Sequence, residues 1–188
     1  MITFGAKYLS PASIYKLERN KIILPHDIAL VEFSKDSAKD AFTLAVTANF
    51  LPKRTGYASS INNDFAETSV KRYVYTNWSR FLALTEKQDD YNFIRPKNIH
   101  GLAEISSRNF DDTIYLNYLQ TIRNFFIERF SHVGTEFLNC IKKMYPEKAI
   151  ELKATPPAIG FYKTNGFQIK DEKKLNGLTP MIYFPTKH

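Results

Sequence analysis

The chain has 188 residues, the size of one domain, and 44% of them are hydrophobic and 14% aromatic. This composition is sufficient for a packed core and excludes an intrinsically disordered protein. The net charge of +7 comes from scattered lysines and arginines, which is typical either of a solvated basic surface or of attraction to a polyanion.

The cysteine count and the hydropathy of the sequence limit the cellular compartments in which we expect the protein. Because Cys140 is the single cysteine, a disulfide within the chain and a cysteine metal cluster are both excluded. The N-terminal segment MITFGAKYLSPASIYK has no apolar signal core, and no stretch approaches the roughly 18 apolar residues of a membrane helix. We therefore expect a soluble protein that is cytoplasmic, or exported without a cleavable signal.

The first part of the chain predicts strands and then helices. Residues 3–9 and 13–17 predict two short strands that turn at Ser10-Pro11, a hairpin extension over residues 1–20. Residues 28–33 (IALVEF) predict the first core strand. Ser37 and Asp40 form a capping-box-like start to a helix that Pro52 ends. Residues 60–71 predict a second, weaker helix.

The middle of the chain predicts three strands. Residues 78–85 (WSRFLALT) and 99–106 (IHGLAEIS) predict neighbouring strands joined by the loop EKQDDYNFIRPKN. Residues 114–121 alternate between two different sets of side chains, which is typical of a strand with two distinct faces.

The last third predicts helix, strand, helix and two closing strands. Apolar residues from Val133 to Tyr145 recur at helical spacing, and residues 149–152 predict a buried strand. The second helix opens at Thr155, which supplies a capping oxygen before Pro156, and closes at Gly166. Residues 167–170 and 181–184 supply the closing strands.

Two segments in this last third resemble motifs of one superfamily. AIGFYKTNGF, residues 158–167, resembles the A-x-x-F-Y-x-x-x-G-F box of the GNAT superfamily of acyl-CoA-dependent N-acyltransferases. RFSHVGTEFL is similar to its pyrophosphate loop, R/Q-x-x-G-x-G/A, with Arg129 first, Gly134 last and His132 in place of the middle glycine. The resemblance covers about residues 79–184.

The resemblance implies a fold and a cosubstrate. It implies an α/β (α+β) fold over residues 1–188, with a mixed, mostly antiparallel sheet flanked by helices, and acetyl-CoA as cosubstrate. A helix N-terminus offers free N–H groups and a positive dipole end to the pyrophosphate, and a strand edge pairs with the pantetheine arm. The cofactor-binding residues implied are Leu119, Gln120, Thr121, Arg129, Phe130, Ser131, His132, Val133, Gly134 and Thr135. A plain helix-start glycine and a surface histidine are the alternatives at Gly134 and His132.

The same resemblance suggests catalytic residues. Tyr162 of the box is the expected general acid for the departing thiolate, although a phenol of pKa about 10 is a weaker acid than a thiol of about 8.5. Glu104, and Tyr115 where some relatives carry a glutamate, are candidates for the general base, directly or through water. The alternatives are a core tyrosine at Tyr162 and a solvent-facing glutamate at Glu104.

Other kinds of site have less support. No Walker loop, Ser-His-Asp series or zinc spacing appears, and the four histidines lie far apart in the sequence, so we expect no metal site.

We expect an N-acetyltransferase that acts on a primary amine by direct attack in a ternary complex, or a non-catalytic GNAT-fold module that binds CoA or a partner. An RNA-binding domain has weaker support. The sequence does not identify the acceptor, which loops 53–59 and 86–98 would contact, and leaves a monomer and a homodimer open.

Overall fold

The computed structural model describes residues 5–18, 21–34, 36–49, 79–107, 112–122, 129–171 and 176–185. In these residues nine strands form one mixed sheet, and three α-helices lie on its two faces. The predicted helix at residues 60–71, the loop 53–59 and most of the segment between residues 122 and 129 lie outside the described residues. The predicted α/β class and mostly antiparallel sheet are confirmed.

The elements follow the chain in a simple order. The strands are β1 (Lys7–Glu18), β2 (Lys21–Glu32), β3 (Ser79–Glu86), β4 (Ile99–Ser106), β5 (Thr113–Thr121), β6 (Arg129–Ser131), β7 (Ala149–Ala154), β8 (Gln168–Ile169) and β9 (Thr179–Tyr183). The helices are α1 (Ala38–Asn49), α2 (Val133–Met144) and α3 (Ile159–Thr164). Across the sheet the strand order is β6-β1-β2-β3-β4-β5-β7-β9-β8. None of the described helices is long and apolar enough to span a membrane.

The predicted turn at Ser10-Pro11 is wrong. Both residues lie inside β1, which runs antiparallel to β2 from Lys7↔Glu32 to Glu18↔Lys21 with an irregularity near Leu9. The N-terminal hairpin therefore consists of β1 and a β2 that is longer than the predicted core strand. Among the described strands only β6 pairs with this edge of β1, and it does so at residues 15–17, so Pro11 lies in an edge segment, where proline is tolerated.

Helix α1 begins where the capping sequence predicts. The Asp40 N–H donates to Ser37 Oγ at 3.2 Å, and Asp40 Oδ2 accepts from the Ser34 N–H at 2.8 Å. One of the orphan N–H groups at the start of the helix, that of Asp40, is thereby satisfied, and the Asp40 carboxylate ties the preceding segment to the helix. Burial raises the pKa of the Asp40 carboxyl, although its hydrogen bonds from Ser34 and Ser37 act in the opposite direction.

The sheet has a core on each face, because successive strand residues point to opposite sides. One core joins Leu82 and Leu84 of β3 to Phe137 of α2 and Tyr162 of α3. The other joins Phe81 of β3 to Leu44 of α1. We call the face of the sheet that carries the first core the α2/α3 face, and the face that carries the second core the α1 face.

The predicted cap of α3 is only partly confirmed. Thr155 has the extended conformation of a cap (φ −67°, ψ 151°), but its side chain makes no capping hydrogen bond. Pro156 and the following proline supply no N–H, and the Ala158 N–H donates to the Thr155 carbonyl instead, at 2.9 Å. A short 3₁₀ turn, Pro156–Ala158, therefore precedes the α-helix. At the other end Gly166 has φ +83°, the left-handed conformation predicted for it.

Candidate active site

The segment expected to be a pyrophosphate loop is partly a strand. Arg129, Phe130 and Ser131 form β6, which pairs antiparallel with residues 15–17 of β1. Strand pairing uses part of the N–H groups that the sequence assigned to an anion. The N–H groups that a helix start leaves unpaired belong to Val133, Gly134 and Thr135, since the first bond of α2 runs from the Glu136 N–H to the His132 carbonyl at 2.8 Å.

His132 holds the backbone conformation that glycine adopts most easily. It precedes α2 with φ 63° and ψ 8°, in the left-handed region, where a non-glycine residue costs about 1–2 kcal/mol. Its exposed ring lies 5.4 Å from the Tyr15 ring, edge to face, and its Nδ1 lies 3.0 Å from Ser131 Oγ. The replacement of the motif glycine by histidine thus leaves the turn into the helix in place.

Gly134 marks the point where three elements meet. A Cβ placed on it would lie 2.9 Å from Phe161 Cζ of α3 and 3.5 Å from Thr121 Cγ2 of β5. The start of α2, the end of β5 and the F-Y box of α3 are therefore adjacent. The absence of a side chain at Gly134 is required by the approach of Phe161, which the sequence motif alone did not show.

The edge of β5 opens beside this point. Parallel pairing of β5 with β7 runs from Thr113↔Ala149 to Leu116↔Leu152 and ends there, and β7 continues along β9. Leu119, Gln120 and Thr121 lie beyond the last pair and contact β4 on their other side. No strand of the described residues pairs with these three on the β7 side. The Gln120 side chain donates from Nε2 to the Thr121 carbonyl at 2.9 Å.

Tyr162 lies in the α2/α3 core, 9% exposed. Its ring packs edge to face on Phe161 at 5.1 Å and on Phe167 at 5.5 Å. Burial raises the pKa of Tyr162 to about 12. Tyr162 is therefore a core residue, as the alternative at this position has it, and among the described residues no protein group forms a hydrogen bond with its hydroxyl.

Glu104 and Tyr115 lie on the α1 face, away from the Tyr162 core. Glu104 is directly opposite Phe81 and Tyr118, which belong to the α1-face core, and it is 2% exposed. A solvent-facing glutamate, the alternative at this position, is therefore wrong. Tyr115 is half-buried and directly opposite Ser106, two residues along β4 from Glu104.

Glu104 is held by polar neighbours that the sequence did not reveal. Its Oε1 accepts from Ser79 Oγ at 2.9 Å and from Asn117 Nδ2 at 3.2 Å, and the same Asn117 amide donates to Ser106 Oγ at 3.0 Å. Asn117 lies where the register of β4 and β5 shifts. The shift of one residue turns its side chain toward Glu104, and no sequence pattern signals such a bulge.

Folding also brings two distant histidines together. His26 Nε2 lies 2.8 Å from Glu86 Oε2, and His100 Nε2 lies 2.7 Å from Glu86 Oε1. Burial alone would raise the pKa of Glu86, but the hydrogen bonds from His100 and His26 outweigh it and hold that pKa below its ordinary value. Spacing along the chain could not show this contact, because each residue comes from a different strand.

Comparison by structure succeeds where comparison by sequence finds nothing. No protein-family model and no curated protein matches the chain. The structure is similar to that of the PaiA N-acetyltransferase from Thermoplasma acidophilum in complex with coenzyme A, with a TM-score of 0.57, 17% identity, and coverage of 84% of this chain and 98% of that one. The chain has the GNAT fold.

Two further solved structures have the same fold. GCN5 from Tetrahymena gives a TM-score of 0.55 at 14% identity, covering 79% of this chain and 90% of its own. A GCN5-related N-acetyltransferase from Rhodopseudomonas palustris gives 0.56 at 16% identity, covering 87% and 99%. At these identities the three structures share the GNAT fold with this chain.

Proposed function

We propose that this protein is an N-acetyltransferase that transfers an acetyl group from acetyl-CoA to a primary amine. The observation that carries the proposal is the meeting, at Gly134, of the α2 start, the open edge of β5 and the F-Y box of α3. These are the three elements that the motif resemblance assigns to the cofactor. The coenzyme A complex of a protein with the same fold adds support.

In the proposed complex the pyrophosphate binds at the start of α2. The N–H groups of Val133, Gly134 and Thr135, with the positive end of the helix dipole, bind the phosphate oxygens. Hydrogen bonds to charged groups contribute about 1.5–3 kcal/mol each, so two or three account for much of the affinity. His132, exposed at the same turn, adds a cationic contact when protonated.

The pantetheine arm in this proposal lies along β5. Its amides pair with the backbone of Leu119, Gln120 and Thr121 as an added strand would, in the space where β7 has turned away. Binding by strand addition uses main-chain groups and is insensitive to side-chain identity. It therefore agrees with the absence of a recognisable sequence motif in β5.

Tyr162 acts on the sulfur side of the reaction. With a pKa of about 12 it stays protonated throughout the neutral range, so its hydroxyl always offers a proton to the departing thiolate. Full transfer to a thiolate of pKa about 8.5 is uphill by about 5 kcal/mol, at about 1.4 kcal/mol per unit. Its main contribution is therefore a hydrogen bond that strengthens as negative charge develops on sulfur.

Glu104 and Tyr115 act on the amine side. They lie on the other face of the sheet from the Tyr162 core, and in this proposal the two substrates meet where β5 and β7 stop pairing after Leu116. An amine that enters from the α1 face attacks the thioester carbonyl directly and loses its proton, through water, to the Glu104 carboxylate. The hydrogen bonds from Ser79 and Asn117 fix the carboxylate for this task.

Thiol release tests the proposal. Acetyl-CoA is incubated with wild-type protein and a panel of amines, namely polyamines, amino acids, aminoglycosides and lysine peptides, and free CoA is measured with a thiol reagent. We expect amine-dependent release that Glu104→Gln reduces while acetyl-CoA binding persists. Acetyl-CoA binding without release for any class of amine would favour the non-catalytic GNAT-fold module instead.

A further inference from the structure

Three neighbouring strands bring two imidazoles and a carboxylate to one end of the sheet. His26 of β2, Glu86 of β3 and His100 of β4 are adjacent because Ile28 pairs with Glu86 and Thr85 pairs with Ile99. One ligand atom from each residue, a ring nitrogen of each histidine and one carboxylate oxygen of Glu86, lies within 4.8 Å of the other two. Neither the cofactor elements nor the proposed acid and base use these three side chains.

We propose that His26, Glu86 and His100 form a binding site for one divalent first-row transition ion, with Zn²⁺ as the matching case. Two imidazole nitrogens and one carboxylate oxygen are a donor set that zinc prefers, and water completes a four-coordinate site. The inference does not depend on acetyl transfer, since the site is argued from these side chains alone.

The three side chains must rearrange before they hold the ion. Bonds of about 2.0–2.1 Å in a tetrahedron separate ligand atoms by roughly 3.3 Å, whereas the two histidine–glutamate contacts measure 2.8 and 2.7 Å. Because the two histidines contact different oxygens of Glu86, an ion held by one oxygen opens one of these contacts by about half an ångström and closes the other separations, which lie within 4.8 Å, toward roughly 3.3 Å. His26 and Glu86 can move in this way because 31% and 30% of their side-chain surfaces are exposed.

The protonation states are also compatible with an ion. Without it, each Nε2 carries a hydrogen and donates to its own oxygen of Glu86, because a carboxylate only accepts. With the ion, the ring hydrogen resides on Nδ1 and the Nε2 lone pair faces the metal. The negative Glu86 then offsets part of the ion's charge.

One ligand of the proposed site is held rigidly, and an aromatic ring shields the two imidazoles from water. His100 is 2% exposed and fixed within β4. The Phe130 ring covers both imidazoles, with centroids 5.0 Å from His26 and 4.6 Å from His100. A bound ion thus ties β2, β3 and β4 together and supports the strand β6 that leads into α2.

Calorimetric titration tests the site. Untagged full-length protein is stripped with a chelator and titrated with ZnCl₂. We expect one ion per chain, with affinity lowered roughly tenfold or more in His26→Gln and in Glu86→Gln, because each removes a ligand or its charge. His132→Gln, which alters an exposed histidine outside the cluster, should bind the ion as the wild type does. Cobalt(II) should give the intense visible bands of a four-coordinate ion in wild-type protein.

Specific results of the same experiments would overturn the proposed metal site. If wild-type protein binds no ion, or binds it no more tightly than a His26→Gln/Glu86→Gln variant, the three side chains are a hydrogen-bonded network and the proposal is overturned. Thermal unfolding with and without ZnCl₂ guards against misfolded variants. The ion should raise the Tm of the wild type and of His132→Gln equally and that of folded Glu86→Gln by less; an equal rise in all three would also overturn the proposal.

Discussion

The ring of Tyr162 packs in the core, while its hydroxyl forms no hydrogen bond with a protein group of the described residues. Its ring is fixed between Phe161 and Phe167, so the position of the oxygen follows from the packing of the core. Burial keeps it protonated, with a pKa of about 12. A buried phenol whose hydroxyl has no partner among the described protein groups fits the role of a hydrogen-bond donor to a ligand.

Replacement of this hydroxyl should separate chemistry from binding. In Tyr162→Phe the ring contacts persist, so we expect kcat to fall by about 10²–10³-fold, the usual effect of removing one hydrogen-bond donor to a developing negative charge, with acetyl-CoA affinity and stability little changed. Steady-state thiol release, calorimetry and urea unfolding measure the three quantities. Tyr183→Phe, in the same aromatic cluster next to Phe167, should leave kcat unaltered. A similar kcat for both variants would remove Tyr162 from the reaction.

At the scale of elements, α2 and α3 approach so closely that only glycine fits between them. Gly134 and Gly160 both lie in helices, yet a Cβ at Gly134 would lie 2.9 Å from Phe161, while one at Gly160 would have no atom within 4 Å. Alanine improves helix propensity at both sites by about 1 kcal/mol. A comparison of the two therefore isolates the collision with Phe161.

We expect Gly134→Ala to be less stable than Gly160→Ala by about 1–3 kcal/mol, the usual cost of overpacking. Urea unfolding gives both values. Adding Phe161→Leu should recover part of the loss, as coupling between contacting residues predicts. Strictly additive effects would mean that Phe161 does not set the spacing of the two helices.

Lys142 joins the same two helices at their other ends. Its Nζ donates to the Asn165 carbonyl at 2.6 Å, at the end of α3, and lies 4.2 Å from the centre of the Tyr183 ring. Burial lowers its pKa. Loss of this hydrogen bond and of the cation–π contact should make Lys142→Met about 1–2 kcal/mol less stable.

The neighbouring lysine provides the control for this prediction. Lys143 is exposed on α2, so Lys143→Met should change the free energy of unfolding by less than about 0.5 kcal/mol. Thermal unfolding of both variants compares them directly. Equal losses would show that the ion–ring contact of Lys142 adds no stability.

At the scale of the whole molecule, alkaline stability should depend on Cys140. Burial raises the pKa of this thiol to about 11, from an ordinary value near 9. The folded state then holds a proton that the unfolded state loses first. The stability from this group is complete below pH 9 and is lost as the pH rises toward 11, by about 2–3 kcal/mol in all.

A cysteine-free variant isolates that contribution. The difference in unfolding free energy between wild type and Cys140→Ala, measured by urea at a series of pH values, should shrink between pH 9 and 11. The comparison cancels the titration of tyrosines and lysines that both proteins share. A constant difference across that range would contradict the proposed cause.

Much of the fold could be predicted from local patterns. β4 has the predicted bounds and α2 the predicted start, because alternation and helical spacing report on burial directly. The turn predicted at Ser10-Pro11 is wrong because this dipeptide favours turns in isolation, whereas here pairing with the long strand β2 keeps it extended. Local propensity gives way where a tertiary partner supplies the hydrogen bonds.

The site was less accessible to sequence reasoning. Gly134 and Tyr162 lie within short motifs, and the structure brings their elements together. The strand pairing of Phe130, the Asn117 bulge and the His26–Glu86–His100 cluster depend on partners from distant strands. No spacing along the chain encodes such contacts, so they emerge only from the assembled sheet.

The most direct test of the proposed function is an amide spectrum of ¹⁵N-labelled protein titrated with acetyl-CoA. We expect saturable binding with the largest shifts at Leu119, Gln120 and Thr121 on β5, at His132 to Thr135 around the start of α2, and at Tyr162. Unchanged amides at the β5 edge and the α2 start under saturating acetyl-CoA would contradict the proposed function.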